Sequence, residues 1–251
     1  MKTAVITGAS RGIGRALAIY LSREGFNVAC VGRDRTALDA TAERVRTAGQ
    51  NAWVFCADFA KPVETATVAQ EIAENIASID LAVMLASPAP DPDEEATLGG
   101  TDTDQIIEYA NVVFTSQVLF TKQLQPALAK SESSTLIYFS TDWALRGSHG
   151  PAAFSGAKAG ISHFARSIRR DFAEKGIQVT SIYPGDIATY DADWIEAKWD
   201  IDDPVEEVVK EFGGDRIPLL DVCEVVSLVA ARKHCRIEEI VMAPRSGEYD
   251  Y

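Results

Sequence analysis

The sequence predicts an α/β fold, a doubly wound parallel sheet of about seven strands flanked by helices on both faces. Three observations predict it. Apolar runs of strand length alternate with amphipathic stretches of helix length along the chain. The runs read as near-continuous Val, Ile and Ala, the pattern of strands covered on both faces. A glycine-rich turn, "TGASRGIG" at 7–14, falls directly after the first run, where a strand would hand over to a helix.

The elements follow in order. Strands are expected at 4–7 ("AVIT"), 27–31 ("NVACV"), 52–56 ("AWVFC"), 81–85 ("LAVML"), 135–139 ("TLIYF"), 178–182 ("QVTSI") and 239–242 ("EIVM"). Helices are expected between them near 12–24, 35–48, 62–77, 103–129, 152–175 and 221–232. Regular alternation of this kind gives parallel pairing. Residues 87–104, rich in Pro, Gly and Asp, read as loop. The segment at about 186–218 is too long for a plain connection and reads as a substrate flap. With no repeat and no linker, residues 1–251 form a single domain, long enough to bury a substantial core.

Composition excludes several classes. Apolar residues make up 47% and charged residues 24%, a globular balance, and the net charge is −13. Such a chain lacks the basic patch needed to hold nucleic acid or an anionic membrane. The acidity is read as solubility, with a cationic partner as the alternative. No run reaches the length of a membrane span, and the first strand begins too early to leave room for a secretory signal. Cys30, Cys56, Cys223 and Cys235 form no CxxC pair. Cys30 and Cys56 lie in apolar runs and are expected as reduced, buried thiols, which points to the cytoplasm. Three scattered histidines give no metal site.

In the turn, Gly8, Gly12 and Gly14 allow a tight bend and the close approach of a pyrophosphate, and the helix that follows offers free N–H groups and a positive dipole end. The glycine spacing, three residues and then one, resembles the short-chain dehydrogenase/reductase family, whose fold is of the Rossmann type. The resemblance covers nearly the whole chain. It implies cofactor contacts from Gly8, Ser10, Arg11, Gly12, Ile13 and Gly14. It implies adenine contacts from Asp58 and Phe59 in "CADF", and nicotinamide-side contacts from Ala86 in "MLAS" and from Pro184, Gly185, Ile187 and Thr189 in "YPGDIAT". Asn111 in "YANVVF" matches the family's active-site asparagine, and 140–160 covers its serine and Tyr-x-x-x-Lys block.

The second strand bears on which dinucleotide is used. An NAD site usually ends that strand with an acid that accepts from the ribose 2′-OH. Here Gly32 stands there, Arg33 follows and Arg11 sits in the turn, so two guanidinium groups can flank a 2′-phosphate. The expected cofactor is NADP (NADPH). The alternatives are that both arginines are merely solvated, or that Asp34 reaches the ribose.

The catalytic block departs from the family. The resemblance implies a ribose-gripping and pKa-lowering role for Lys158, a hydroxyl at Thr141 to bind the substrate carbonyl, and proton supply through Asn111. At the position of the proton-donating tyrosine stands Phe154. A positioned general acid is worth roughly 10²–10⁴ in rate, so an enzyme without it is impaired but need not be inert. Substitute donors are His149, Asp142, Tyr183 and Tyr190, the last attractive because it opens the flap. Phe154 also reads as a packing replacement for the tyrosine ring. "MLAS" (84–87) stands where the family has Asn-Asn-Ala-Gly, so amide bracing is lost there too.

In the flap, Trp194, Lys198 and Ile201 have helical spacing, with Trp199 nearby. This reads as an amphipathic packing helix, or as a wall for a ring-bearing or hydrophobic small-molecule substrate. The resemblance implies a homodimer or homotetramer paired through the helices near 103–129 and 152–175. The expected function is an NADP(H)-dependent oxidoreductase acting on a carbonyl/alcohol or related small molecule with a non-standard proton donor. The alternatives are non-redox elimination, isomerisation or cyclisation, and an inactive NADP-binding subunit.

Overall fold

A computed structural model describes residues 2–88, 98–147, 152–188 and 216–245. Among these residues the strands are β1 (Lys2–Thr7), β2 (Phe26–Gly32), β3 (Ala52–Cys56), β4 (Leu81–Met84), β5 (Ser134–Phe139), β6 (Ile177–Pro184) and β7 (Glu239–Met242). They pair in parallel in the order β3-β2-β1-β4-β5-β6-β7. The order reverses at β1, which lies between β2 and β4. In such sheets ligands bind in the crevice beyond the carboxyl ends of the strands at this switch.

Successive side chains of a strand point to opposite faces, and here both faces are apolar. Ala4 and Ile6 of β1, Val28 and Cys30 of β2, and Leu81 and Val83 of β4 share one layer with helices α1 (Gly12–Arg23), α2 (Arg35–Thr47) and α8 (Leu219–Ala230). Val5, Ala29, Ala82 and Met84 turn to the other layer, under α3 (Pro62–Asn75), α5 (Ser116–Leu128) and α7 (Ala152–Ala173). Asp34 caps α2 by accepting from the Ala37 N–H at 3.1 Å, and Pro62 opens α3, where a missing N–H costs nothing.

The predicted elements recur with local differences. The helix expected over 103–129 is α4 (Thr103–Tyr109), a wider π-helical turn (Ala110–Thr115) and α5. The Thr115 Oγ1 donates to the Ala110 carbonyl five residues back, which suits that wider turn. β4 stops at Met84, because the next two N–H groups turn to Thr7. A four-residue helix that the sequence reading lacks, α6 (Trp143–Arg146), follows β5. Cys30 is buried as expected, and burial pushes its thiol up to about 12. Cys56 is exposed instead, as the last residue of an edge strand. Among the described residues no helix is long and apolar enough to cross a membrane.

Candidate active site

The turn after β1 is built from glycines with different physical duties. Gly8 has φ +74° and Gly12 φ +52°, the left-handed region that penalises a side chain. A Cβ on Gly8 would press on the Ala86 N at 3.3 Å, whereas nothing lies within 4 Å of a Cβ added to Gly12. At Gly14 a Cβ would stand 2.2 Å from the Gly8 carbonyl oxygen, so α1 starts against the turn only if that residue has no side chain. The turn therefore closes on itself at Gly14 and stays open over Gly12, at the mouth of α1. This is the shape that admits a diphosphate to backbone N–H groups.

Behind the turn lies a polar brace. Arg15 is buried, with Nη2 donating to the Ser10 carbonyl at 2.7 Å and Nε to the Thr41 Oγ1 at 3.2 Å. Thr41 in turn donates to the Ala9 carbonyl at 2.9 Å. Arg11, in the turn, and Arg33, just after β2, are both exposed. The Asp34 carboxylate, a rival for the ribose, is engaged by the first turn of α2. Ile13 is half-buried at the start of α1.

The segment after β4 lacks the family's amides but is held by other groups. Thr7 Oγ1 accepts from the Leu85 N–H at 2.9 Å and the Ala86 N–H at 3.0 Å, and Gln117 Nε2 donates to the Ala86 carbonyl at 2.9 Å. Asp58 turns its Oδ1 to the Ala60 N–H at 3.1 Å. Phe59 is buried against Phe120, its carbonyl accepting from the Ser116 Oγ at 2.6 Å. Asn111, on the π-helical turn, donates to the Ala60 carbonyl at 3.4 Å and so ties that turn to the loop after β3.

Residues following β5 meet the start of α7. Lys158 and Phe154 lie one helical turn apart and share a face. Lys158 is buried; its Nζ donates to the Phe139 carbonyl at 3.0 Å and lies 5.5 Å from the centre of the Phe154 ring. Phe154 is itself buried, edge-on to Tyr109 at 5.4 Å and to Trp143 at 6.5 Å. Ser162 bonds both the Ser140 Oγ and the Lys158 carbonyl, and the Ser155 Oγ donates to the Trp143 carbonyl at 3.0 Å. Thr141 donates to the Asp142 Oδ1 at 3.1 Å, and Asp142 pairs with Arg146. The Thr141 proton thus points at a carboxylate.

Burial pulls the Lys158 ammonium down to about 8. Between that value and its ordinary 10.5, the unfolded chain carries a proton the folded chain lacks, so this residue's share of stability rises with pH across that window. Removing the amine is therefore expected to stabilise the protein at pH 7. Urea unfolding of Lys158→Met should show a gain over wild type that shrinks by about 3 kcal/mol between pH 7 and pH 11, at 1.36 kcal/mol for each unit of displacement. A gap independent of pH would show that the amine is not buried.

Pro184 ends β6, with its carbonyl accepting from the Asp142 N–H at 3.1 Å, and the Gly185 N–H donates to the Met242 carbonyl at 2.8 Å. Ile187 pairs with Ile217, joining the two roots of the expected flap. Thr189, Tyr190, Trp194, Trp199 and His149 lie outside the described residues. Tyr183 is buried, its hydroxyl accepting a hydrogen bond from Arg166 at 3.4 Å. Among the described residues no group of three His, Cys, Asp or Glu is placed to hold a metal. The residues missed from sequence are Thr7, Arg15, Thr41 and Gln117. Only the placement of Thr7 at the end of the first run could have signalled one of them.

Comparison with known proteins adds an independent line. Residues 2–198 match the sequence profile of the short chain dehydrogenase family. An uncharacterized oxidoreductase of Mycobacterium tuberculosis is 30% identical over 208 residues, covering 82% of this chain and 77% of that one. A 3-oxoacyl-[acyl-carrier-protein] reductase of Staphylococcus epidermidis is 27% identical over 236 residues, 92% of each chain. An alcohol dehydrogenase of Thermococcus sibiricus, solved with 5-hydroxy-NADP, superposes with a TM-score of 0.82 at 21% identity and full coverage of both chains.

Proposed function

This chain belongs to the short chain dehydrogenase family, and from that membership we propose that it is an NADP(H)-dependent oxidoreductase acting on a carbonyl/alcohol or related small molecule. One observation carries the reading. The turn that closes at Gly14 and opens over Gly12 follows the carboxyl end of β1, and Thr141 and the Lys158 amine lie at the carboxyl end of β5 with Asn111 tied to the loop after β3. Bound there, the dihydronicotinamide supplies a hydride to an electrophilic carbon of the substrate. The chain's own part is to bind and orient. Backbone N–H groups of Gly8–Gly14 take the diphosphate, with Ser10 and Ile13 lining the turn. Asp58 and Phe59 flank the adenine, and Ala86 and Pro184–Ile187 line the nicotinamide side. Lys158 grips the ribose and Thr141 faces the substrate oxygen.

Several features support NADP over NAD. Gly32 has room for a Cβ, with its nearest neighbours at 3.5 and 3.6 Å, so packing alone does not exclude an acid from this place. The site lacks one by composition, and the only nearby carboxylate of the "GRD" run is occupied as a helix cap. Calorimetric titration tests this. NADPH should bind at least tenfold tighter than NADH. Arg33→Glu should weaken NADPH roughly 10²-fold while changing NADH less than about threefold, since the added charge repels only the 2′-phosphate. Equal affinity for the two nucleotides would reject the assignment.

A second reading, a nucleotide-binding subunit without turnover, is favoured by the loss of the hydroxyl at Phe154. It expects tight NADPH binding and no oxidation of NADPH across a carbonyl panel. The proposed reading extends to a homo-oligomer, supported by the exposure of Ile107 and Phe114 beside α5, and sedimentation of the full chain tests it.

A further inference from the structure

We infer that Ser140 and Ser162 are positioning residues, a buried pair of hydroxyls that fixes the turn of α7 carrying Lys158 against the end of β5. This rests on the oxidoreductase reading above, in which Lys158 takes the nicotinamide ribose.

A helix that covers a sheet presents apolar side chains to it, and α7 does so with Phe154, Ile161, Ala165 and Phe172. Three other buried side chains of α7 are polar: Ser155, Lys158 and Ser162. They stand three and then four residues apart, so they share one stripe of the helix. Each bonds to the chain at the end of β5. The Lys158 Nζ donates to the Phe139 carbonyl at 3.0 Å, and the Ser155 Oγ donates to the Trp143 carbonyl at 3.0 Å. The Ser162 Oγ lies 2.7 Å from the Ser140 Oγ and 2.8 Å from the Lys158 carbonyl oxygen, and the Ser140 Oγ lies 3.2 Å from that same oxygen. Residues 139, 140 and 143 are thus all tied to α7, with Thr141 between them. The opposite side of this segment is held by β6: the Ser140 N–H donates to the Ile182 carbonyl at 2.8 Å, and the Asp142 N–H to the Pro184 carbonyl at 3.1 Å.

The two kinds of contact do different work. Apolar burial is non-directional and tolerates a small shift of the helix. Hydrogen bonds do not, because their strength falls steeply with angle and distance. A buried hydroxyl or amine that loses its partner is also costly. Sliding α7 by one turn, or rotating it by one residue, would strand Ser140, Ser162 and the Lys158 amine together. The serine pair therefore selects one seating of the helix on the strand. The main-chain oxygen of Lys158 is part of that pair's network, so the same bonds that seat the helix set where the lysine side chain begins. Its far end is set by the Phe139 carbonyl. Lys158 is fixed at both ends, one of them by residues that touch neither coenzyme nor substrate.

The two serines are not equivalent. Ser140→Ala removes both contacts from the strand end to the helix turn. Ser162→Ala leaves the Ser140 contact to the Lys158 carbonyl in place and so is the milder change.

The test is calorimetric titration of the full chain with NADPH and with 2′,5′-ADP, which carries the adenosine end of the coenzyme and no nicotinamide ribose. Ser140→Ala should weaken NADPH about tenfold, the worth of roughly one buried hydrogen bond, while changing 2′,5′-ADP less than about twofold. Ser162→Ala should weaken NADPH about threefold with the same selectivity, and it serves if Ser140→Ala does not fold. The double variant should be no worse than Ser140→Ala, because the link is already cut. A merely structural pair would loosen the whole domain and weaken both nucleotides in parallel. That result, or an NADPH affinity unchanged in both single variants, overturns the assignment. Wild type that binds neither nucleotide overturns the oxidoreductase reading instead.

Discussion

Gly14→Ala is expected to abolish measurable NADPH binding and to destabilise the fold by about 3 kcal/mol, the upper part of the range for overpacked sites. The added methyl carbon would meet the Gly8 carbonyl oxygen at 2.2 Å, its carbon at 2.6 Å and the Ala9 Cα at 3.0 Å. All three are backbone atoms, so no side chain can rotate out of the way. Relief requires α1 to move off the turn. That movement would pull Leu17 and Leu21 from the layer they share with Ile6 and Val28. It would also separate the helix mouth from the bend whose N–H groups are proposed to take the diphosphate. Gly12→Ala is the control. Its methyl meets nothing within 4 Å, so its cost is the left-handed backbone alone, about 1–2 kcal/mol. Thermal unfolding and NADPH titration of both variants would check the order. A Gly14→Ala protein that melts with wild type and binds NADPH would contradict the close approach of helix and strand.

The second large effect is a gain. Phe154→Tyr is expected to raise kcat for NADPH-dependent carbonyl reduction by roughly 10²-fold, within the range a positioned general acid provides. The ring is already held edge-on between Tyr109 and Trp143, so the new hydroxyl arrives on a preformed support. Stability should change by less than about 1 kcal/mol, since the ring volume is conserved. The Lys158 ammonium beside the ring would favour the phenolate form and shift the acid limb of the profile. Steady-state assays of wild type and variant over the same carbonyl panel decide the matter. Activity appearing only in the variant would favour the subunit reading, and no change in an active enzyme would mean the ring does not face the substrate.

The sheet was largely legible because its signal is local and redundant. Runs such as "NVACV" and "TLIYF" can be satisfied only by cover on both faces, and the structure supplies that cover in two layers. The glycine turn was legible for the same reason, since backbone conformation and close approach demand glycine specifically. The supports of the site were not legible, because they join residues far apart in the chain. Thr7 holds Leu85 and Ala86, Gln117 reaches Ala86, and Arg15 meets Thr41. Each of these side chains is unremarkable in its own neighbourhood. The π-helical turn at Ala110–Thr115 was hidden differently: helical periodicity continues across it, and the extra residue per turn leaves no mark in composition. Cys56 misled because a strand run does not reveal that its last residue overhangs an edge. Asp142 illustrates a further limit. Its place beside Thr141 was visible, but its pairing with Arg146 depends on the short helix α6.

The bridge between Ile187 and Ile217 has an evolutionary corollary. Because these two residues stand side by side though far apart in the chain, a cut at them joins onto the described body at a single place. A connection of twice the length costs only about 0.6 kcal/mol more in closure entropy. Exchanging residues 189–215 for those of a relative with a different appetite should thus redirect selectivity while the melting of the protein is retained, which a substrate panel and thermal unfolding would check.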